Sequence, residues 1–411
     1  MSRKALAAWG PADGAMWRAE RQPPCYTPAM GNEADSYLSG QLRQSEPTVA
    51  VGAVVALRLF DVAYAIDLAR AEGLLADQAR TSRRIRLSAT PPKAMAFGVP
   101  PLALELEPVV LALEGEDVAA VATVRLYDFG AVTIALRVPI VNVTWADFVR
   151  QLNAVDRSVT AADDMWDRLL RRVRELLGPA MNRAEDSRVQ EDYLIGVVHT
   201  FEPKLTAAAL RDSVDLVPLL SGEQRPLSDG ARHELLRQRF SYYTDDLVVL
   251  TWDRAFVYEP RGDSDVLDVL EVANAQLLEM RYYDELLDDE LPRMYDLVAK
   301  ARRARTLLAS RRFAGLARRL HTLVAEVTEL TERVDNALQV TEDVYLARIY
   351  AAALELFRVP EVNAAVERKL AIIRDTYSAL YDESLASRTE LMEFLIIVLI
   401  LAEIVIALVR P

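Results

Sequence analysis

Cysteine is almost missing from this chain. The single Cys25 cannot form an intramolecular disulfide or supply a cysteine zinc site. Histidine is nearly as scarce. His199, His233 and His321 share no short metal-ligand spacing, so none belongs to a common zinc pattern. No glycine-rich phosphate loop and no Gly-x-Ser-x-Gly elbow occurs, which removes the best-marked nucleotide and serine-hydrolase signatures. Positive charge is in deficit. Lys and Arg number 48 against 61 Asp and Glu, a net charge of −13, which argues against a general nucleic-acid binder. Arg3 and Lys4 are followed by no apolar run, so the pattern of a secretory signal is absent. The reading is non-enzymatic, with no catalytic residue, metal or cofactor assigned.

What is present divides into four stretches. Residues 1–47 carry Pro11, Pro23, Pro24, Pro28, Gly10 and Gly14 without periodicity and are expected to be a disordered tail. A transit peptide is the alternative, though Asp13, Glu20 and Glu33 interrupt it. Residues 48–262 are expected to form an α+β domain. "TVAVGAVVALRLF" predicts a strand and "DVAYAIDLARAEGLL" an amphipathic helix. "VAAVATVRLY" and "AVTIALRVPI" flank "DFG", a hairpin with Gly130 free to take positive φ. Helices are predicted over 144–155 and 160–178, and a strand at "DYLIGVVHTF". A second hairpin turns at Asp253-Arg254.

Residues 263–390 read as an all-α helical or coiled-coil domain without further strands. Val266, Leu270, Ala273, Leu277, Met280, Leu287 and Leu291 follow 4-3 spacing, with Asp284, or Tyr283 after a shift of one, at the missing position. Similar seams run from Leu316 to Val334 and from Val366 to Leu380. Charge is segregated here. "YYDELLDDELPRMYD" places Asp284 with Asp288, and Glu285 with Asp289, on neighbouring helical turns. Two readings stand: a divalent-metal hydrolase site, or a solvated face paired with Arg281 and Arg293. From Lys300 to Arg319 every charge is positive, and Arg305, Arg312 and Arg319 recur every seven residues on one helix face. That stripe either binds RNA or anionic lipid or pairs with the acidic run.

Residues 391–409 are expected to be a single transmembrane helix. Phe394, Leu395, Ile396, Ile397, Val398, Leu399, Ile400 and Leu401 lead into Ala402 and Glu403, and Ile404, Val405 and Ile406 follow. The run from Phe394 to Val409 spans roughly 24 Å, marginal against a hydrocarbon core of about 30 Å. Its aliphatic and Phe residues favour insertion by roughly 4–8 kcal/mol, more than the ~3 kcal/mol cost of Glu403. Arg388 and the basic residues before it place the bulk of the chain on the cytoplasmic side. A tail anchor follows, and Glu403 would favour helix pairing in the bilayer. The alternative is a buried helix in an oligomer core.

"VRLYDFGAVTIALRV", "LDVLEVANAQLLEMRYYDELL" and "YSALYDESLASRTELMEFLIIVLILAEIVIAL" together resemble the "required for meiotic nuclear division" family, in a bacterial-type member. Mitochondrial members of that family are inner-membrane homo-oligomers that hold ribosomes near the membrane. The resemblance therefore implies an anchored scaffold with no established enzyme activity, and the Ala-, Arg- and Leu-rich composition points to a bacterial relative in an inner membrane. Its partners would be the lipid bilayer, further copies of itself, and a ribosome, RNA or anionic lipid.

Overall fold

Strand β1 (Thr48–Asp61) is apolar on both sides, so both of its faces have to be covered. Val54, Ala56 and Phe60 point into one buried cluster, and Val55, Leu57 and Leu59 into another. This is the two-residue alternation of a strand with a core on each face. The computed structural model describes residues 46–77, 82–85, 95–184, 189–223, 225–262, 265–303, 309–336, 338–340 and 345–409. Residues 1–45, with Cys25 and the expected disordered tail, lie outside that range, as do the side chains of 301–314, 383–391 and 406–409. The unit Glu46–Pro411 is described below.

The main sheet has ten strands. The others are β2 (Ser82–Arg84), β3 (Leu102–Glu105), β4 (Val109–Leu113), β5 (Glu116–Leu126), β6 (Ala131–Thr144), β7 (Gln190–Glu202), β8 (Arg239–Phe240), β9 (Leu247–Leu250) and β10 (Arg254–Tyr258). Their order is β8-β9-β10-β7-β1-β6-β5-β3-β2, with β4 paired to β5. Strands β10 and β7 run parallel, and the remaining neighbours are antiparallel. β1 sits inside, paired along nearly its whole length with β6 and β7.

Six helices accompany the first core: α1 (Leu68–Asp77), α2 (Trp145–Thr160), α3 (Asp163–Leu177), α4 (Ala207–Ser213), α5 (Val217–Ser221) and α6 (Asp229–Leu235). Phe148, Leu152 and Val155 of α2, and Trp166, Val173 and Leu177 of α3, pack into the cluster beneath β1 and β6. Helix α2 starts where Thr144 Oγ1 accepts the Asp147 N–H at 3.1 Å. The opposite face of the sheet is covered by α7 (Val266–Arg303), α8 (Ala309–Asp335), α9 (Tyr345–Leu356) and α10 (Val359–Val409). Every residue from Glu271 to Met280 is buried, because the first half of α7 lies between the sheet and the later helices. Val269, Leu270 and Leu278 meet Tyr193, Ile195 and Val257, while Ile349, Tyr350 and Val366 close the other side. The chain is thus a mixed α/β block followed by a helical region that extends the same core.

Several sequence expectations change in detail. Ala63–Ile66 is a strand paired with Met181–Ala184, not the first turn of a helix. Helix α1 begins only after Asp67, whose side chain accepts the Arg70 N–H at 3.0 Å. Leu338–Val340 is a short strand in the helical region, paired with Met95–Phe97. At the open seam position Tyr283 is buried, and Asp284 lies outside the seam.

The expected transmembrane ending is overturned. Among the described residues no helix is long and apolar enough to cross a membrane. The apolar stretch whose side chains are described runs from Leu395 to Val405, roughly 16 Å of helix against a hydrocarbon core of about 30 Å. The side chains of Phe394 and Ile406 lie outside the described residues. The tail anchor, the single-pass membrane location and the cytoplasmic-face orientation fall with it.

The "YDFG" turn shows how tightly the sheet is locked. Gly130 has φ 110°, and a Cβ there would stand 1.8 Å from the Ala63 carbonyl oxygen. Val62 N–H donates to the Gly130 carbonyl at 3.3 Å, and Gly130 N–H donates to Tyr127 O at 3.2 Å. Gly130→Ala combines a forbidden contact with left-handed strain. It should cost at least ~2 kcal/mol of stability, read as a lowered midpoint in urea. An unchanged midpoint would show that the turn can move aside.

Candidate functional site

Three charged or apolar constellations stand out above this frame. The most buried joins the sheet to α7. Arg125, on β5, lies 2.6 Å from Asp268 and 3.0 Å from Glu271, and the Tyr127 hydroxyl donates to Glu271 at 2.9 Å. Phe129 stacks on Tyr127. Burial opposes the charge on Arg125, yet Glu271 and Asp268 outweigh it and hold the guanidinium firmly protonated. Burial pushes the Glu271 carboxyl up, and Arg125 pulls it back. Burial, with Glu271 beside it, pushes the Tyr127 phenol well above its usual range. With the groups closed on one another, this is a clamp rather than an open chemical site. Arg125→Met should cost about 3–5 kcal/mol, because two carboxylates are left without their cation. A loss below 1 kcal/mol in chemical denaturation would show that the clamp is dispensable.

The acidic run of α7 is distributed among several partners. Lys369 Nζ, on α10, lies 2.6 Å from both Asp284 and Asp288. Arg293 reaches Glu290 at 2.7 Å and Asp289 at 3.8 Å, and Arg281 pairs with Glu191 on β7. Among the described residues no group of three or more His, Cys, Asp or Glu side chains is placed to hold a metal ion. His199 Nδ1 lies 3.1 Å from the Glu259 carbonyl oxygen, and His321 packs beside the Tyr377 ring. Of the basic stripe, Arg305 and the side chain of Arg312 lie outside the described residues. Arg319 is exposed and sits 3.4 Å from Glu290.

The third constellation is the end of α10. Leu395, Ile396, Ile397, Val398, Leu399, Ile400, Leu401, Ile404 and Val405 are each 45–60% exposed. Consecutive positions step around a helix by about 100°, so this exposure covers all of its sides. Glu403 interrupts the surface and is itself exposed.

Sequence spacing found the acidic run and the apolar tail. It missed Lys369 as the cation between Asp284 and Asp288, because that pairing joins residues 85 apart. It also missed Arg254. This residue is 7% exposed and reaches Asp156 at 2.6 Å, Asn153 at 2.7 Å and the Leu219 carbonyl at 2.9 Å. An arginine opening a strand in a hairpin was the available signal.

Lys369 carries a pH signature. Its partial burial works against the charge, but its bonds to Asp284 and Asp288 raise its pKa above the ordinary lysine value. A raised pKa gives stability that is complete below the unfolded value of about 10.4 and lost as pH climbs through the folded value. Lys369→Met should therefore be less stable than wild type by about 1 kcal/mol at pH 7 and 9, the small size reflecting the exposed Asp288. The gap should narrow at pH 11. A constant gap across the three pH values would mean that Lys369 acts by packing alone.

The comparisons with known proteins correct the family. No solved structure matches the chain. A protein from Methanocaldococcus jannaschii, described as "Uncharacterized protein MJ0711", is 26% identical over 196 residues, covering 47% of this chain and 59% of the relative. The chain thus matches little more than half the length of that curated relative. Nothing found supports the "required for meiotic nuclear division" resemblance or the bacterial inner-membrane role drawn from it. The "YDFG" motif that carried it is a turn held by Gly130 packing, and the tail that carried it has no membrane-spanning helix among the described residues. The family model described as "Uncharacterized protein MJ0711, N-terminal domain" matches residues 51–265, the sheet with the first-face helices, and the chain belongs to that family.

Proposed function

We propose that this protein is a non-enzymatic, self-assembling protein whose copies associate through the C-terminal part of α10. The observation that carries the reading is the all-round apolar exposure of Leu395–Val405. Monomers rarely leave apolar patches above a few hundred Å² in water. Nine large aliphatic side chains, about half exposed, present on the order of 800 Å², the share one partner brings to a standard interface. A second copy supplies an identical apolar helix at equal concentration, which makes it the best-matched occupant. Glu403 sits inside this surface, so burial would set a carboxylate at the interface, where only a hydrogen-bonded arrangement is tolerated. The charged faces of α7 and α8 offer less support for a polyanion partner, since Arg319 already faces Glu290.

Light scattering on the full chain across a dilution series tests this. A discrete oligomer is expected, dissociating on dilution. Leu399→Lys combined with Ile400→Lys should yield monomers with an unchanged urea midpoint, because neither side chain belongs to the core. Leu399→Ala with Ile400→Ala should weaken assembly by about tenfold or more, at roughly 1 kcal/mol or more for each truncated interface residue. A monomer at every concentration, a continuous ladder of sizes, or a monomer that floats with neutral phosphatidylcholine vesicles would overturn the reading.

A further inference from the structure

We infer that the groove between helix α6, the β9–β10 turn and the α9–α10 junction binds a small apolar zwitterion, an amino acid with a large side chain. The groove is open to solvent and offers about 560 Å³, within the size range of small-molecule sites. Leu235, Trp252 and Leu356 form its apolar wall. Trp252 is 72% exposed, which leaves a broad indole face in water at the mouth of the groove. Stacking against such a face suits a flat or bulky apolar group.

Charge defines the remainder of the ligand. Glu234 and Arg237 line the groove but are closed on each other at 3.1 Å. Glu355, Arg358 and Glu361 also line it, and none of the three makes an ion pair with a described residue. They present two carboxylates and one guanidinium along a single junction. A ligand with one ammonium and one carboxylate on a short backbone answers both signs. Its ammonium would meet Glu355 or Glu361, its carboxylate would meet Arg358, and its side chain would lie along Trp252.

The backbone adds an independent reason to look at Arg358. It holds φ 58°, a left-handed conformation that suits glycine and is costly for a long side chain. It closes α9, with its N–H donating to the Glu355 carbonyl at 3.1 Å. Glycine would serve the chain reversal better, and the arginine kept there brings a guanidinium to the groove. Residues kept in such conformations concentrate at ligand sites.

Equilibrium dialysis of the full chain with labelled L-phenylalanine tests the assignment, with phenethylamine and 3-phenylpropionate as competitors. Phenylalanine should bind with one site per chain. Each competitor lacks one charge and should be at least tenfold weaker. Trp252→Ala and Glu361→Gln should each weaken phenylalanine binding about tenfold. The decisive variant is Arg358→Gly, which should lose binding while raising the melting temperature by about 2 °C through relief of the left-handed strain. Loss of affinity together with gained stability cannot be unfolding. No binding at millimolar phenylalanine, phenethylamine binding as well as phenylalanine, or full affinity in Arg358→Gly would each overturn the inference. None of these outcomes depends on whether copies associate through α10.

Discussion

The structure depends on one constraint, the double coverage that β1 requires. The strand is apolar on both faces and paired on both edges, so it can be satisfied only in the middle of a layered core. Each fully buried Val, Leu or Phe contributes roughly 1.5–3 kcal/mol, and β1 presents such residues in both directions. Helices α2 and α3 cover the first face. The second is covered mainly by chain that comes after the sheet. That places the first half of α7 against Tyr193, Ile195 and Val257 and makes the helical region a part of the fold rather than an appendage.

Burying a helix on all sides brings its polar residues in with it. Glu271, Asn274, Gln276 and Glu279 are all under 7% exposed. Each requires a partner, since a buried polar group without one costs several kcal/mol. The sheet and α9 provide partners for two of them. Arg125 and Tyr127 come from β5 and the turn after it to meet Glu271, and Tyr350 on α9 donates to Gln276 at 2.6 Å. Within α7 itself, Tyr283 donates to Glu279 at 2.9 Å. Apolar packing alone would let α7 slide along the sheet. These directional contacts give it one register, so the "YDFG" turn fixes the placement of the helical region as well as the hairpin.

Much of this was legible in the sequence, and the failures share a cause. The long strands, both hairpins, α2, α3 and the start of α7 follow from period-two and 4-3 patterns, which are local. The misreadings depended on distant chain. Ala63–Ile66 looked helical because its pattern runs on into α1, and it is a strand because Met181–Ala184 lies alongside. Of the two seam candidates the sequence left open, Tyr283 is the buried one, and Asp284 is bonded instead by Lys369 from α10. The groove at Trp252 had no local signal at all. It is assembled from residues 227–252 and 355–361, and neither segment has a motif that announces a ligand.

The same distinction explains why the apolar residues of α7 and those at the end of α10 behave differently. On α7, apolar side chains meet sheet and helices, and its acidic residues meet Lys369, Arg293 and Arg281. Among the described residues, these buried and paired groups are answered within the chain. At Met392 and again over Leu395–Val405, the described side chains of α10 are exposed. Leu395–Val405 gains nothing from the core and exposes aliphatic surface on every side. Helix propensity does not account for such a run, because alanine or glutamate would hold the helix at least as well without the cost of exposed aliphatic surface. Its composition makes sense only as surface to be covered. Among the described residues nothing covers it; under the proposed self-association a second copy does, and the discrete or continuous size of the resulting particle tests that reading.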